Sequence, residues 1–149
     1  MKKYFYTAAW LLLLILIGTV GYLCFSPNLP VSLPAGSHQI SYIMVGKAPV
    51  AYVPFQEIGQ LGFWLNILMT VPLGIIIAVI TKYQWRLKLI TITGIVIGCL
   101  IEITQFILDN LSLASRWVDI NDVIANGLGF IIGYLLIIIA AKLFSKRSN

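Results

Sequence analysis

The sequence predicts an all-α membrane protein with four transmembrane helices, both termini in the cytoplasm and one long outer loop between the first two helices. Hydrophobic residues make up 60% of the chain and charged residues only 10%, whereas charged residues account for about 25% of a soluble globular domain. Four apolar stretches are each long enough to cross the bilayer core, about 30 Å thick, as a helix. They are residues 7–25, 61–81, 89–108 and 123–141. With the outer loop at residues 26–60, they are expected to form a single membrane domain over residues 1–149.

The orientation follows from the basic residues, because Lys and Arg accumulate in cytoplasmic segments. Only Lys47 and Arg116 lie on the side predicted to be outside. The other eight of the ten flank the opposite ends of the spans: Lys2, Lys3, Lys82, Arg86, Lys88, Lys142, Lys146 and Arg147. We therefore attribute the net charge of +5 to membrane orientation and expect the bilayer, not a nucleic acid, as the partner.

The first span is expected to remain as an uncleaved anchor. Lys2 and Lys3 followed by an apolar stretch resemble a signal peptide. The stretch is longer than a usual signal-peptide core of about 7–15 residues, however, and no A-x-A cleavage site follows it. The two cysteines, Cys24 and Cys99, match no metal-ligand or redox spacing, so both are interpreted as small buried hydrophobes.

The outer loop divides into two parts. Three prolines and a glycine near its start predict irregular or polyproline-like chain: Pro27, Pro30, Pro34 and Gly36. Residues 39–45 and 50–55 are apolar and rich in aromatic side chains, which favours a position at the membrane interface or against the bundle, where they would cap its outer mouth. His38 is interpreted as a solvated loop residue.

Four of the five acidic residues lie within residues 102–122, in or beside the third and fourth spans. The third span carries a stripe at spacings of four, four, three and four: Gly94, Gly98, Glu102, Gln105 and Asp109. These spacings place all five on one face of a helix. Ionisable residues within a membrane are expensive to keep and usually functional, so the polar half of this stripe is a candidate site. Asp109 must either lie beyond the helix end or have a cation nearby.

The fourth span repeats the pattern in the opposite direction, at spacings of three, four, three and four: Asp119, Asp122, Asn126, Gly129 and Gly133. Helix capping explains one acid at the start of a helix, and Asp119 is the expected cap. Capping does not explain a second acid and an asparagine further along the same stripe. The glycines of both stripes are predicted to bring the third and fourth helices together.

Two more polar residues have several possible partners. Asn66, in the outer half of the second span, points either into a polar centre or into the headgroups. Arg116 is the only cation near the acids, and it could pair with Asp119, reach Asp109 or lean towards Glu102. Trp117 is most simply an interface anchor.

Three segments in order resemble the VanZ-like family of small bacterial membrane proteins. They are Asn66-x5-Pro72-x-Gly74, Glu102-x2-Gln105-Phe106 and Arg116-x2-Asp119-x2-Asp122-Val123-x2-Asn126-x2-Gly129. Val53-Pro54-Phe55 also resembles a short motif that precedes the second span in that family, and the likeness covers roughly residues 54–134. The resemblance implies a four-helix, multi-pass protein of the bacterial plasma membrane. The founding members are associated with resistance to the glycopeptide antibiotic teicoplanin, so the resemblance also suggests a link to that resistance, but it supplies no mechanism.

We hypothesise that seven residues form an outward-facing polar pocket: Asn66, Glu102, Gln105, Arg116, Asp119, Asp122 and Asn126. The leading function is a binding module for a cell-envelope, lipid-linked or glycopeptide ligand, without a metal or cofactor. One alternative is an acid/base enzyme acting on an envelope lipid, with Glu102 as acid and Asp122 as base, in which a carboxylate pair could hold Mg²⁺ or Ca²⁺. A second alternative is a small proton-coupled carrier, against which the scarcity of polar residues in the inner halves of the spans argues. The sequence leaves the oligomeric state open.

Overall fold

Four helices form the frame of the protein in a computed structural model that describes residues 2–26, 40–114 and 116–147. They are α1 (Lys2–Phe25), α2 (Leu61–Ile80), α3 (Leu87–Asn110) and α4 (Ile120–Arg147). Each is long and apolar enough to cross a membrane. The four predicted spans are therefore confirmed, and α3 and α4 start before and end after the predicted bounds.

A small sheet stands beside the helices, which an all-α expectation did not include. It consists of β1 (Tyr42–Val45), β2 (Ala48–Ala51) and β3 (Val118–Asp119). β1 and β2 form an antiparallel hairpin, and β2 pairs in parallel with β3. The hairpin is possible because Gly46 turns the chain with a φ of 66°, a conformation that glycine adopts without strain. The first part of the loop, with its three prolines and His38, lies outside the described residues.

The helices define two ends of the bundle. At one end α1 and α3 finish and α2 and α4 begin, next to the sheet; we call this the loop end. At the other end the link between α2 and α3 turns the chain; we call this the link end. The Lys and Arg distribution predicts that the loop end faces outside.

The glycines of α3 bring this helix against α4, as predicted. A Cβ atom on Gly94 would lie 2.8 Å from the carbonyl oxygen of Gly127, and one on Gly98 would collide with the carbonyl oxygen of Val123. Only glycine allows the two backbones to approach so closely.

The glycines predicted to complete this contact on α4 face a different helix. A Cβ atom on Gly129 would collide with the carbonyl oxygen of Ile67, and one on Gly133 with that of Val71, both in α2. That half of the prediction is wrong. Residues two apart are about 200° apart around a helix, so Gly127 and Gly129 lie on nearly opposite faces and α4 packs between α3 and α2.

The link end is held by Tyr134, which is fully buried with Ala78, Ile90 and Phe130. Its hydroxyl lies 2.7 Å from Thr81 Oγ1 and accepts a hydrogen bond of 3.1 Å from the backbone N–H of Trp85. The Trp85 ring stacks on the Tyr134 ring, with centroids 5.6 Å apart. Tyr134 thus fixes the turn between α2 and α3.

Candidate functional site

Strand β3 places Asp119 directly beside Glu102. The backbone N–H of Asp119 donates a hydrogen bond of 2.8 Å to Glu102 Oε2, and both residues are only 4% exposed. Since the two residues are 17 positions apart, this bond joins the start of α4 to the polar part of α3.

Asp119 also caps α4, as predicted. Its Oδ1 accepts a hydrogen bond of 2.7 Å from the backbone N–H of Asn121, two residues into the helix. The side-chain amide of Asn121 donates to the same oxygen at 2.8 Å and to the carbonyl oxygen of Val53 at 3.1 Å. Asn121 therefore ties the segment before α2 to the start of α4.

Asn66 points into the polar centre. Its side chain donates a hydrogen bond to the Asp122 carboxylate, which joins α2 to α4. One turn further along α2, Thr70 Oγ1 donates to the carbonyl oxygen of Asn126 at 2.9 Å. Asn126 lies one turn below Asp122 on the same face of α4 and is almost fully buried.

Gln105 and Asp109 continue the α3 stripe towards the loop end. The Gln105 side-chain amide donates to the carbonyl oxygen of Cys24 in α1 at 3.1 Å. Asp109 lies in the last turn of α3, not beyond it, and its two oxygens accept the backbone N–H of Arg116 at 3.1 and 3.2 Å. This carboxylate at the negative end of the helix is thus held by the backbone of the cationic residue.

The Arg116 guanidinium reaches the end of α1. Nη2 donates a hydrogen bond of 3.1 Å to the carbonyl oxygen of Leu23, near the end of α1. The last carbonyls of a helix lack partners within the helix, so this contact caps α1. Of the three partners considered from the sequence, only Asp109 is contacted, and that contact uses the backbone.

Two residues at the site were missed by the pocket hypothesis, Glu57 and Asn121. The Glu57 side chain lies against the Asp119 carboxyl as a hydrogen-bond partner. Burial, the neighbouring charges of Asp119 and Asp122 and this hydrogen bond together raise the pKa of Glu57 to about 7. The only sequence signal for Glu57 is its position. It is the one acid in the outer loop and lies four residues before α2. With it, all five acids of the chain lie at the loop end.

The family model described as VanZ/LLP1 matches residues 5–141 of the chain. The chain belongs to this family. The match runs from α1 into α4 and includes every residue of the hypothesised pocket, and it agrees with the resemblance derived from the sequence motifs. No curated protein and no solved structure matches the chain.

In this VanZ/LLP1 chain, four of the seven hypothesised pocket residues are joined in pairs. Asn66 meets Asp122, and Glu102 meets Asp119. Gln105 and Arg116 are directed to α1 instead, through backbone carbonyls at its end. All seven lie at the loop end, and the seventh, Asn126, accepts a hydrogen bond from Thr70 through its carbonyl oxygen.

Four buried side-chain oxygens at the loop end have no hydrogen-bond partner. They are Glu102 Oε1, Gln105 Oε1, Asn121 Oδ1 and Asn126 Oδ1. Buried polar atoms are nearly always paired, so each of these atoms requires an explanation. In the described ranges, no three Asp, Glu, His or Cys side chains are grouped as metal ligands.

A cavity of about 110 Å³ lies under the hairpin, and of the seven hypothesised pocket residues only Arg116 lines it. Its walls are formed by Lys47, Pro49, Asp109, Ala114, Arg116 and Trp117. Lys47 Nζ donates to Ser112 Oγ at 2.7 Å, which ties the hairpin turn to the end of α3. Trp117 packs edge-to-face on Tyr42, with ring centroids 4.7 Å apart. The apolar second part of the outer loop thus packs against the α3–α4 link.

Proposed function

We propose that this VanZ/LLP1 protein is a binding module of the bacterial plasma membrane whose loop end faces outside and holds a cell-envelope or lipid-linked ligand. The pocket consists of Asn66, Glu102, Gln105, Arg116, Asp119, Asp122 and Asn126, with Glu57 and Asn121 completing its rim. The outward orientation rests on the Lys and Arg distribution, and the bacterial location on the family resemblance.

The observation that carries the proposal is the burial of Glu102. This carboxyl group is 4% exposed in an apolar helix, and only one of its oxygens has a partner. A charged Arg, Lys or Asp at the centre of a membrane helix costs about 2.5–3.5 kcal/mol on insertion scales, and a carboxylate nearer the helix end, as at Glu102, is still costly though less so. Helix packing does not require it, because Gly94 and Gly98 already provide the α3–α4 contact. Ligand binding accounts for a polar group that packing leaves unexplained.

The surroundings of the pocket support a ligand with a lipid part. The segment from β2 into α2 exposes large apolar side chains beside the acids, among them Tyr52, Phe55, Ile58 and Leu61. An exposed apolar segment next to a polar site suits a molecule that is apolar at one end and polar at the other.

Native mass spectrometry of the full-length protein, purified with its membrane lipids, tests the proposal. A variant that combines Glu102→Gln, Asp122→Asn and Asn126→Ala is expected to retain about tenfold less lipid, because it removes charged and amide hydrogen-bonding groups of the pocket. Asp119 stays intact because it caps α4. Lys88→Gln, which removes one exposed charge at the link end, is the control and should retain lipid normally. Unchanged lipid retention by the folded triple variant would disprove a ligand in this pocket.

The consequence for the envelope is a change in glycopeptide binding. Bacteria that produce the protein should bind less fluorescent teicoplanin than bacteria that produce the triple variant at the same level. Equal teicoplanin binding by the two kinds of bacteria would disprove the link to resistance. The lipid-binding function would then be judged by the mass spectrometry experiment alone.

A further inference from the structure

The loop end contains many hydrogen-bond acceptors and few donors to match them. All five acids of the chain lie there, while the only guanidinium nearby, that of Arg116, donates to the Leu23 carbonyl oxygen. Every buried side-chain atom without a partner in the described part of the chain is an oxygen.

The identity of two of these oxygens follows from their partners. The amide nitrogen of Gln105 is held by the Cys24 carbonyl oxygen, and that of Asn121 by two oxygens, on Val53 and Asp119. Reversing either amide would place an oxygen against these acceptors. Gln105 Oε1 and Asn121 Oδ1 are therefore true acceptors.

We propose that the pocket recognises a primary ammonium group on its ligand, either on a zwitterionic lipid headgroup or on a free amine. This inference rests on the proposed function and specifies the chemistry of the ligand. The ammonium group would enter between Glu102 and Asp122, with Asn126 one turn below.

An ammonium group supplies what the pocket lacks. It carries one positive charge and three N–H donors, and hydrogen bonds between an ammonium and a carboxylate are about twice as strong as neutral ones. The low dielectric constant of a buried site strengthens this attraction further.

Two other ligand chemistries fit less well. An anionic group in the same place would face the carboxyl groups of Glu102, Asp119 and Asp122, and the guanidinium of Arg116, the nearest cation among the described residues, is already hydrogen-bonded to Leu23. A divalent metal ion would need several acidic ligands gathered around one point, which the described residues do not offer.

The test compares defined lipids on the full-length protein by native mass spectrometry. The lipids are phosphatidylethanolamine, which has a primary ammonium, phosphatidylcholine, whose nitrogen has no N–H, and the anionic phosphatidylglycerol. Phosphatidylethanolamine should be retained about tenfold better than either of the other two. In the double variant Glu102→Gln, Asp122→Asn this preference should disappear, and in the control Lys88→Gln it should remain.

The outcomes separate this inference from the proposed function. Preference for phosphatidylglycerol, with lipid still lost from the triple variant, would overturn the ammonium site and leave the binding function standing. If the pocket variants have no effect on any lipid, both fail. Displacement of phosphatidylethanolamine by Mg²⁺ without amine would overturn the inference in favour of a metal. Binding of ethanolamine would support a free amine, and selective retention of phosphatidylethanolamine without ethanolamine binding would support the lipid headgroup.

Discussion

The two ends of the bundle bury polar groups in different ways. At the link end the Tyr134 hydroxyl is fully buried, and it has two partners, Thr81 and the backbone of Trp85. At the loop end four buried oxygens have none. The first arrangement is typical of a structural polar group, whose bonds are complete within the folded chain. The second leaves bonding capacity unused, which is typical of a site that binds another molecule.

Both ends share one frame. α4 packs against α3 through Gly94, Gly98 and Gly127, and against α2 through Gly129 and Gly133. Because backbone contacts hold the helices together, the loop end can keep incompletely bonded polar groups without these groups having to supply the packing. The following predictions test this separation of stability and function, from the largest expected effect to the smallest.

Gly129→Ala should disrupt the contact between α2 and α4. The added Cβ would collide with the carbonyl oxygen of Ile67 and with Thr70 Oγ1, so α2 and α4 must move apart. Overpacking of this kind lowers the free energy of unfolding by about 1–3 kcal/mol. Thermal unfolding of the purified protein in detergent measures the effect.

Gly18→Ala is the matched control, because no atom lies within 4 Å of its added Cβ. In a helix interior this change should leave stability unchanged or raise it by about 0.5–1 kcal/mol. Equal melting temperatures for the two alanine variants would show that the α2–α4 contact does not depend on glycine.

Tyr134→Phe should destabilise the link end by about 1–3 kcal/mol, because it leaves the partly buried N–H of Trp85 without an acceptor. The control is Tyr22→Phe, whose ring is 63% exposed and which should melt like the unchanged protein. The same measurement on Glu102→Gln examines the loop end, where we expect no loss of stability. A melting temperature lowered as much by Glu102→Gln as by Tyr134→Phe would contradict the difference between the two ends.

The smallest effect is a pH dependence of the segment that contains Glu57. Its pKa is raised from 4.5 to about 7, so the protonated form favours the contact with Asp119. The stabilisation is complete below about pH 4.5, declines as the pH rises and is lost above about pH 7. Hydrogen exchange of residues 53–60, corrected for the intrinsic pH dependence of exchange, should therefore increase across this range.

Glu57→Gln distinguishes the protonation of Glu57 from a general opening of the loop. Glutamine keeps an N–H donor towards Asp119 at every pH, so exchange in this variant should stay slow and lose its pH dependence. The same rise in exchange for the variant and the unchanged protein would mean that another group is responsible.

Local patterns predicted much of this molecule. The four spans follow from runs of apolar residues, and the cap at Asp119 follows from the preference of helix starts for carboxylates. The sequence allowed two positions for the Asn66 side chain, in the polar centre or among the headgroups. Only the folded structure shows that it lies at the polar centre. The hairpin was not predicted, because the apolar residues of the outer loop were compatible with a position either at the membrane interface or against the bundle.

The sequence by itself determined which residues are polar in an otherwise apolar chain and on which helical faces they lie, because helical periodicity is a local property. Only the tertiary structure decided which faces meet. It turned Gly129 and Gly133 towards α2, directed Arg116 to the end of α1 and brought Glu57 to Asp119. These contacts depend on how the helices pack and where the outer loop lies against them. They join residues far apart along the chain, and local sequence patterns do not predict such contacts.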